Sequence, residues 1–126
     1  MKLASILTSA IIAVAAPAVH AHAEHGQPQY GGIYGEAGTF QAELVIKDAQ
    51  ATLHLSNHGE ALSAQGASGK LTVMGADGKR SSVNLAPAAG NQLVAKLEGK
   101  PAAGSKIIAS IVLPGRQPAN IRYVIE

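Results

Sequence analysis

The sequence predicts an all-β protein: an immunoglobulin-like antiparallel sandwich of about seven strands, with a small β-barrel as the alternative layout. Three observations lead there. Beyond residue 39, apolar and polar residues alternate with period two. The alternating runs are short and separated by turn residues at roughly 8–12-residue spacing. The helical period fits nothing after the N-terminal segment.

That segment, residues 1–23, reads as a cleavable signal peptide. Lys2 supplies a positive start, Leu3 to Val19 is almost without polar groups, and Ala21-His22-Ala23 ends it with a small-x-small cleavage pattern. Its apolar run of about 15 residues falls short of the ~20 that span a bilayer comfortably, so the product is expected to be exported to the periplasm rather than membrane-embedded. Cleavage after Ala23 makes Glu24 the first residue; cleavage after Ala21 makes it His22. Residues 24–39 hold Gly26, Gly31, Gly32, Gly35 and Gly38 with no sustained period, and read as a flexible leader containing His25. Residues 40–126 are left as one strand-built domain, a size that sustains a modest core.

Within that domain, residues 40–47 put Ala42, Leu44 and Ile46 on one face and Gln41, Glu43 and Lys47 on the other. Asp48-Ala49 turns the chain into 50–56, with Ala51, Leu53 and Leu55 inward and Thr52, His54 and Ser56 outward. Asn57-His58-Gly59 breaks that strand. Residues 69–74 follow, with Leu71 and Val73 inward. The Asp77-Gly78 pair suits a tight hairpin into 82–86, which turns Val83 and Leu85 inward. Residues 92–98 alternate through Leu93, Ala95 and Leu97. The longest apolar run, 106–113, is expected to be covered on both faces. Pro114-Gly115 leads into 119–125, where Ile121, Tyr123 and Ile125 share a side.

Composition excludes several classes. The chain has no cysteine, hence no disulfide, thiolate metal site or thiol nucleophile. Lys and Arg total 10 against 8 Asp and Glu, and the bases are scattered singly along the chain, with no aromatic residue in a basic cluster. Nucleic-acid binding, which needs a concentrated basic stripe, is not expected. Asp48 and Asp77 belong to turns. No nucleophile elbow, paired carboxylates or phosphate cradle stand out, so no enzyme is expected.

The histidines are the remaining candidates, because imidazole is the commonest protein metal ligand and suits copper and zinc. His25 would be the second residue after cleavage at Ala23, where a free amine, an amide nitrogen and the imidazole can chelate Cu(II). His22, if first, would clamp the ion with its amine and ring. His54 lies on the outward face near a strand end and His58 in the following turn. In a fully extended strand they would stand more than ~12 Å apart, so their meeting depends on that turn. Met74 offers a thioether for Cu(I) on the face opposite Leu71 and Val73.

Several segments together resemble a group of small periplasmic all-β proteins of Gram-negative bacteria, often encoded near heavy-metal efflux or copper-resistance systems. They are His25-Gly26, Glu36-Ala37-Gly38 ahead of Phe40-Gln41-Ala42-Glu43-Leu44-Val45, Asn57-His58-Gly59, Gly66-Ala67-Ser68-Gly69-Lys70-Leu71-Thr72-Val73, Leu85-Ala86-Pro87-Ala88 and Gly90-Asn91-Gln92-Leu93. The resemblance implies a soluble periplasmic sandwich handling copper, silver or zinc ions, with His25 and His58 at recurring histidine-glycine positions. Unlike methionine-rich periplasmic copper chaperones, this chain has no tryptophan and only Met74 beyond the signal segment. The leading expectation is a metal-binding accessory protein that uses His25, His54, His58 and Met74 to buffer a copper-like or zinc ion or deliver it to a membrane efflux or resistance complex. The alternative is a metal-free interaction module that docks a partner along an edge strand.

Overall fold

The computed structural model describes residues 26–126. The expected signal peptide and His25, with the alternative first residue His22, lie outside the described residues. Those described contain nine strands and no helix: β1 Ile33–Glu36, β2 Gln41–Lys47, β3 Gln50–Asn57, β4 Glu60–Ala61, β5 Ser68–Met74, β6 Arg80–Pro87, β7 Gln92–Lys96, β8 Lys106–Val112 and β9 Ala119–Val124. No helix among them is long and apolar enough to cross a membrane.

Every pairing is antiparallel, in the order β1-β2-β3-β7-β6-β5-β8-β9, with the short β4 on β3. The link between halves is narrow. β6 and β7 pair only at Ala86↔Val94 and Pro87↔Leu93. On one side of it lies the β1-β2-β3-β7 layer, on the other β6-β5-β8-β9. The sheet curls until its end strands, β1 and β9, touch without pairing. The all-β reading holds, and of the two layouts the nearly closed barrel describes the sheet.

The core follows the alternation. Ala42 and Leu44 of β2, Leu53 and Leu55 of β3, Leu71 of β5, Leu93 of β7, Ile107 and Ile111 of β8 and Ile121 of β9 are all buried. Phe40 closes one end, and Tyr123 reaches across the barrel to donate its hydroxyl hydrogen to Ala42 O at 2.8 Å. That bond ties β9 to β2 past Gly35 of β1. A Cβ on Gly35 would stand 2.8 Å from Tyr123 Cε1, closer than such atoms pack, so the missing side chain is what lets the end strands close.

Seven strands match their predicted counterparts closely; β1 and β4 are additional. β1 falls inside the stretch expected to be a structureless leader. Its four residues, Ile-Tyr-Gly-Glu, are interrupted by glycine and show too short an alternation to stand out. A second difference concerns β8, which was expected to be covered on both faces. Ile107, Ala109 and Ile111 are buried, but Lys106 and Val112 are exposed, because among the described residues no element packs on the outer side of β6-β5-β8-β9.

Candidate functional site

The register assembles a polar floor on the outer face of β1-β2-β3-β7. Residues directly opposite in an antiparallel pair share a face. Tyr34 of β1 stands opposite Glu43 of β2, Glu43 opposite His54 of β3, and His54 opposite Gln92 of β7. The neighbouring row is Glu36, Gln41, Ser56 and Ala61. An outer face would ordinarily leave such residues wet. Here Glu43 is only 5% exposed and Gln41 7%.

The cover is the segment before β1. The Glu43 carboxylate accepts the backbone N–H of Gln29, of Tyr30 at 2.8 Å and of Gly32 at 2.8 Å. Three charge-assisted bonds compensate for burying that carboxylate and strap residues 29–32 over the sheet. Gly32 lies so near β2 that a Cβ would meet the Leu44 carbonyl and come within 2.9 Å of Val45 Cγ2. From this strap Tyr30 lays its ring on the His54 imidazole, centroids 3.8 Å apart and planes 9° from parallel.

His58 arrives by a different route. Asn57 and Glu60 pair at the ends of a two-residue turn whose central residues, His58 and Gly59, both take positive φ (50° and 87°). This is the pattern of a primed hairpin turn. It is uncommon for a non-glycine residue, and histidine is among the few enriched in it. The His58 N–H donates to Gln41 Oε1 at 2.9 Å, which anchors the turn to the polar floor.

Strap, floor and turn enclose a cavity of about 300 Å³ lined by both His54 and His58, together with Gly26, Tyr30, Tyr34 and Glu36 among others. Burial under Tyr30 lowers the His54 pKa below the ordinary histidine value, against the opposing pull of Glu43. Among the described residues its Nδ1 is buried without a hydrogen-bond partner, as is Asn57 Oδ1 beside the turn. Burial and the hydrogen bond of its hydroxyl to Glu36 (3.0 Å) raise the Tyr34 pKa.

The structure thus brings His54 and His58 to one cavity and leaves Met74 elsewhere. Met74 is on β5, opposite Arg80 and Lys106, on the outer face of the other layer. Among the described residues, no three His, Asp or Glu side chains converge closely enough to hold a metal ion. Glu43, the nearest carboxylate to His54 in the register, is committed to backbone N–H groups. Two imidazoles are therefore what these residues can offer a cation. Tyr30, Gln41 and Glu43 were not among the residues singled out from sequence; each acts through a contact with a partner 11–24 positions away. The trace of Gln41 and Glu43 was their polar character at outward positions of β2; Tyr30, in the segment before β1, left none.

Comparison with protein-family models, with curated proteins and with solved structures finds no match to this chain.

Proposed function

We propose that the protein is an exported, non-catalytic metal-binding accessory protein of the periplasm. Its cavity would take a copper-like or zinc ion, to buffer it or pass it to a membrane efflux or resistance complex. The observation that carries this reading is that His54 of β3 and His58 of the following turn line one cavity. Imidazole nitrogens suit Zn(II) and Cu(II).

The environment of His54 supports the same reading. Metal competes with protons for imidazole nitrogen, and a lowered pKa keeps His54 in its neutral, ligating form as the medium turns mildly acidic. Among the described residues its Nδ1 has no hydrogen-bond partner, which leaves that nitrogen uncommitted. Met74 has no part in this site. Edge-strand docking, the competing expectation, is less favoured because the end strands β1 and β9 lie against each other.

Calorimetric titration of the purified protein with Cu(II), Zn(II) and Ag(I) tests the proposal. The expected result is one ion per chain, bound more tightly than ~100 µM, which corresponds to about −5.5 kcal/mol. His54→Gln and His58→Gly should each weaken binding at least tenfold. Glycine accepts the positive φ at position 58, so that variant keeps the turn while removing the ring. Affinity weaker than ~100 µM, or unchanged in both variants, would dispose of the proposal.

A further inference from the structure

The bases that look scattered along the sequence converge in space. β5, β6, β8 and β9 carry Lys70, Arg80, Lys106 and Arg122 and no Asp or Glu. Register puts all four on the outer face: Lys70 opposite Ser110, Arg80 opposite Met74, Met74 opposite Lys106, and Arg122 opposite Ile108. With strands ~4.8 Å apart, Arg80 and Lys106 flank Met74 at a Cα separation of ~10 Å. The nearest carboxylates in sequence, Asp77 and Glu126, lie beyond the strand ends.

Apolar side chains are interleaved with these cations. Val112 is 40% exposed and Val124 53%, and both belong to this face; Tyr30 is the other large apolar residue so exposed among those described. Lys106 pairs directly with Val124, so one row across the sheet reads cation, thioether, cation, branched aliphatic. β8 has the apolar pattern of a strand covered on both sides, yet among the described residues no element supplies the second cover.

From single-sign charge with exposed aliphatic groups between, we infer that this face docks on an anionic phospholipid bilayer surface. Lysine and arginine engage phosphates while Val112, Val124 and Met74 reach the headgroup boundary. A bilayer presents anions continuously in two dimensions, so cations on four different strands can all be neutralised at once. An acidic peptide would run along one strand and leave most of them unmatched. The inference uses a different face from the histidine cavity and stands independently of the metal reading.

Co-sedimentation with phosphatidylethanolamine vesicles, with and without phosphatidylglycerol, tests it. Binding is expected only where phosphatidylglycerol is present, and should fall steeply as salt shortens the screening length. Each cation at such a surface contributes roughly a fivefold factor in partitioning. Lys106→Gln with Arg122→Gln should therefore weaken binding about 25-fold. Both side chains are exposed, so the fold should survive, and circular dichroism checks that. The control, Lys47→Gln with Lys96→Gln, removes the same charge from the other layer and should leave binding nearly intact. Absence of vesicle binding, equal binding without phosphatidylglycerol, or equal loss in the control pair would each overturn the inference. The first of these includes the case of a face that serves an acidic protein.

Discussion

Tyr30 and His54 lie face to face at 3.8 Å, although one belongs to the strap before β1 and the other to the outer face of β3. The stack joins the two parts of the site. Tyr30 is placed by the N–H···carboxylate bonds to Glu43, and His54 is the cross-strand neighbour of that same Glu43. One acidic residue thus fixes both the cover and the ring beneath it.

Removing the cover should expose the imidazole. Tyr30→Ala leaves Glu43 in place, so the attraction that raises the His54 pKa persists while the burial that lowers it is relieved. The expected outcome is a His54 pKa moved upward, to the ordinary value or above. Titration of the His54 imidazole proton resonances in wild type and variant measures it. A His54 titration unchanged by the substitution would mean that the strap does not shield the ring.

The lowered pKa also sets a pH dependence of stability. The unfolded histidine takes its proton near pH 6.5, whereas native His54 resists until lower pH. Above that point both states are neutral and stability is insensitive to this group. As pH falls below ~6.5, the unfolded chain binds more protons, and stability declines until the native ring protonates too. Thermal midpoints measured from pH 7.5 downward should fall more steeply in wild type than in His54→Gln, in which this contribution is absent. Parallel curves would remove His54 as a source of acid sensitivity.

Much of the fold could be read from the chain because inward positions carry it. Leu53, Leu71, Leu93 and Ile121 each sit in a period-two run, and burial of such runs specifies strands without knowledge of their neighbours. β1 was not readable because its stability is borrowed: Glu43 anchors the residues before it, and Gly35 is there for the benefit of Tyr123. The site divides similarly. His54 and His58 are visible as imidazoles near one turn, but their shared cavity depends on the positive φ at position 58 and on a cover from residues 29–32. The basic face is hidden for the same reason. Lys70, Arg80, Lys106 and Arg122 are neighbours only once the order β6-β5-β8-β9 is known.

Glu43 is the residue whose loss should free the strap with the least damage to the barrel. Glu43→Gln keeps the shape but replaces a charged acceptor of several N–H groups by a neutral amide whose nitrogen now faces donors. Hydrogen bonds to charged groups contribute about 1.5–3 kcal/mol each, and part of this is retained by the amide oxygen. Local opening of the strap should therefore become easier by about 2–3 kcal/mol. Hydrogen exchange at the amides of Gln29, Tyr30 and Gly32 reads this directly, with expected acceleration of about 30–150-fold at 25 °C. Amides of β5 and β8 in the other layer should keep their protection. Uniform acceleration throughout would instead show that the strap and barrel open together.

The closure of the barrel rests on a different pair, Gly35 and Tyr123. Tyr123→Phe keeps the ring but leaves the Ala42 carbonyl without its 2.8 Å donor in a buried setting, at a cost of about 1–3 kcal/mol. Gly35→Ala attacks the same junction from the other side, because its Cβ would press on the Tyr123 ring and on Ile121; such overpacking costs about 1–3 kcal/mol. The two residues share one contact, so their effects should not add. Once alanine has displaced the ring, the hydroxyl is already off its acceptor, and the double variant should be less destabilised than the sum of the single ones. Denaturant unfolding of the four proteins measures the coupling. Strict additivity would show that Gly35 and Tyr123 stabilise the barrel independently, and that β1 does not close against β9 through this contact.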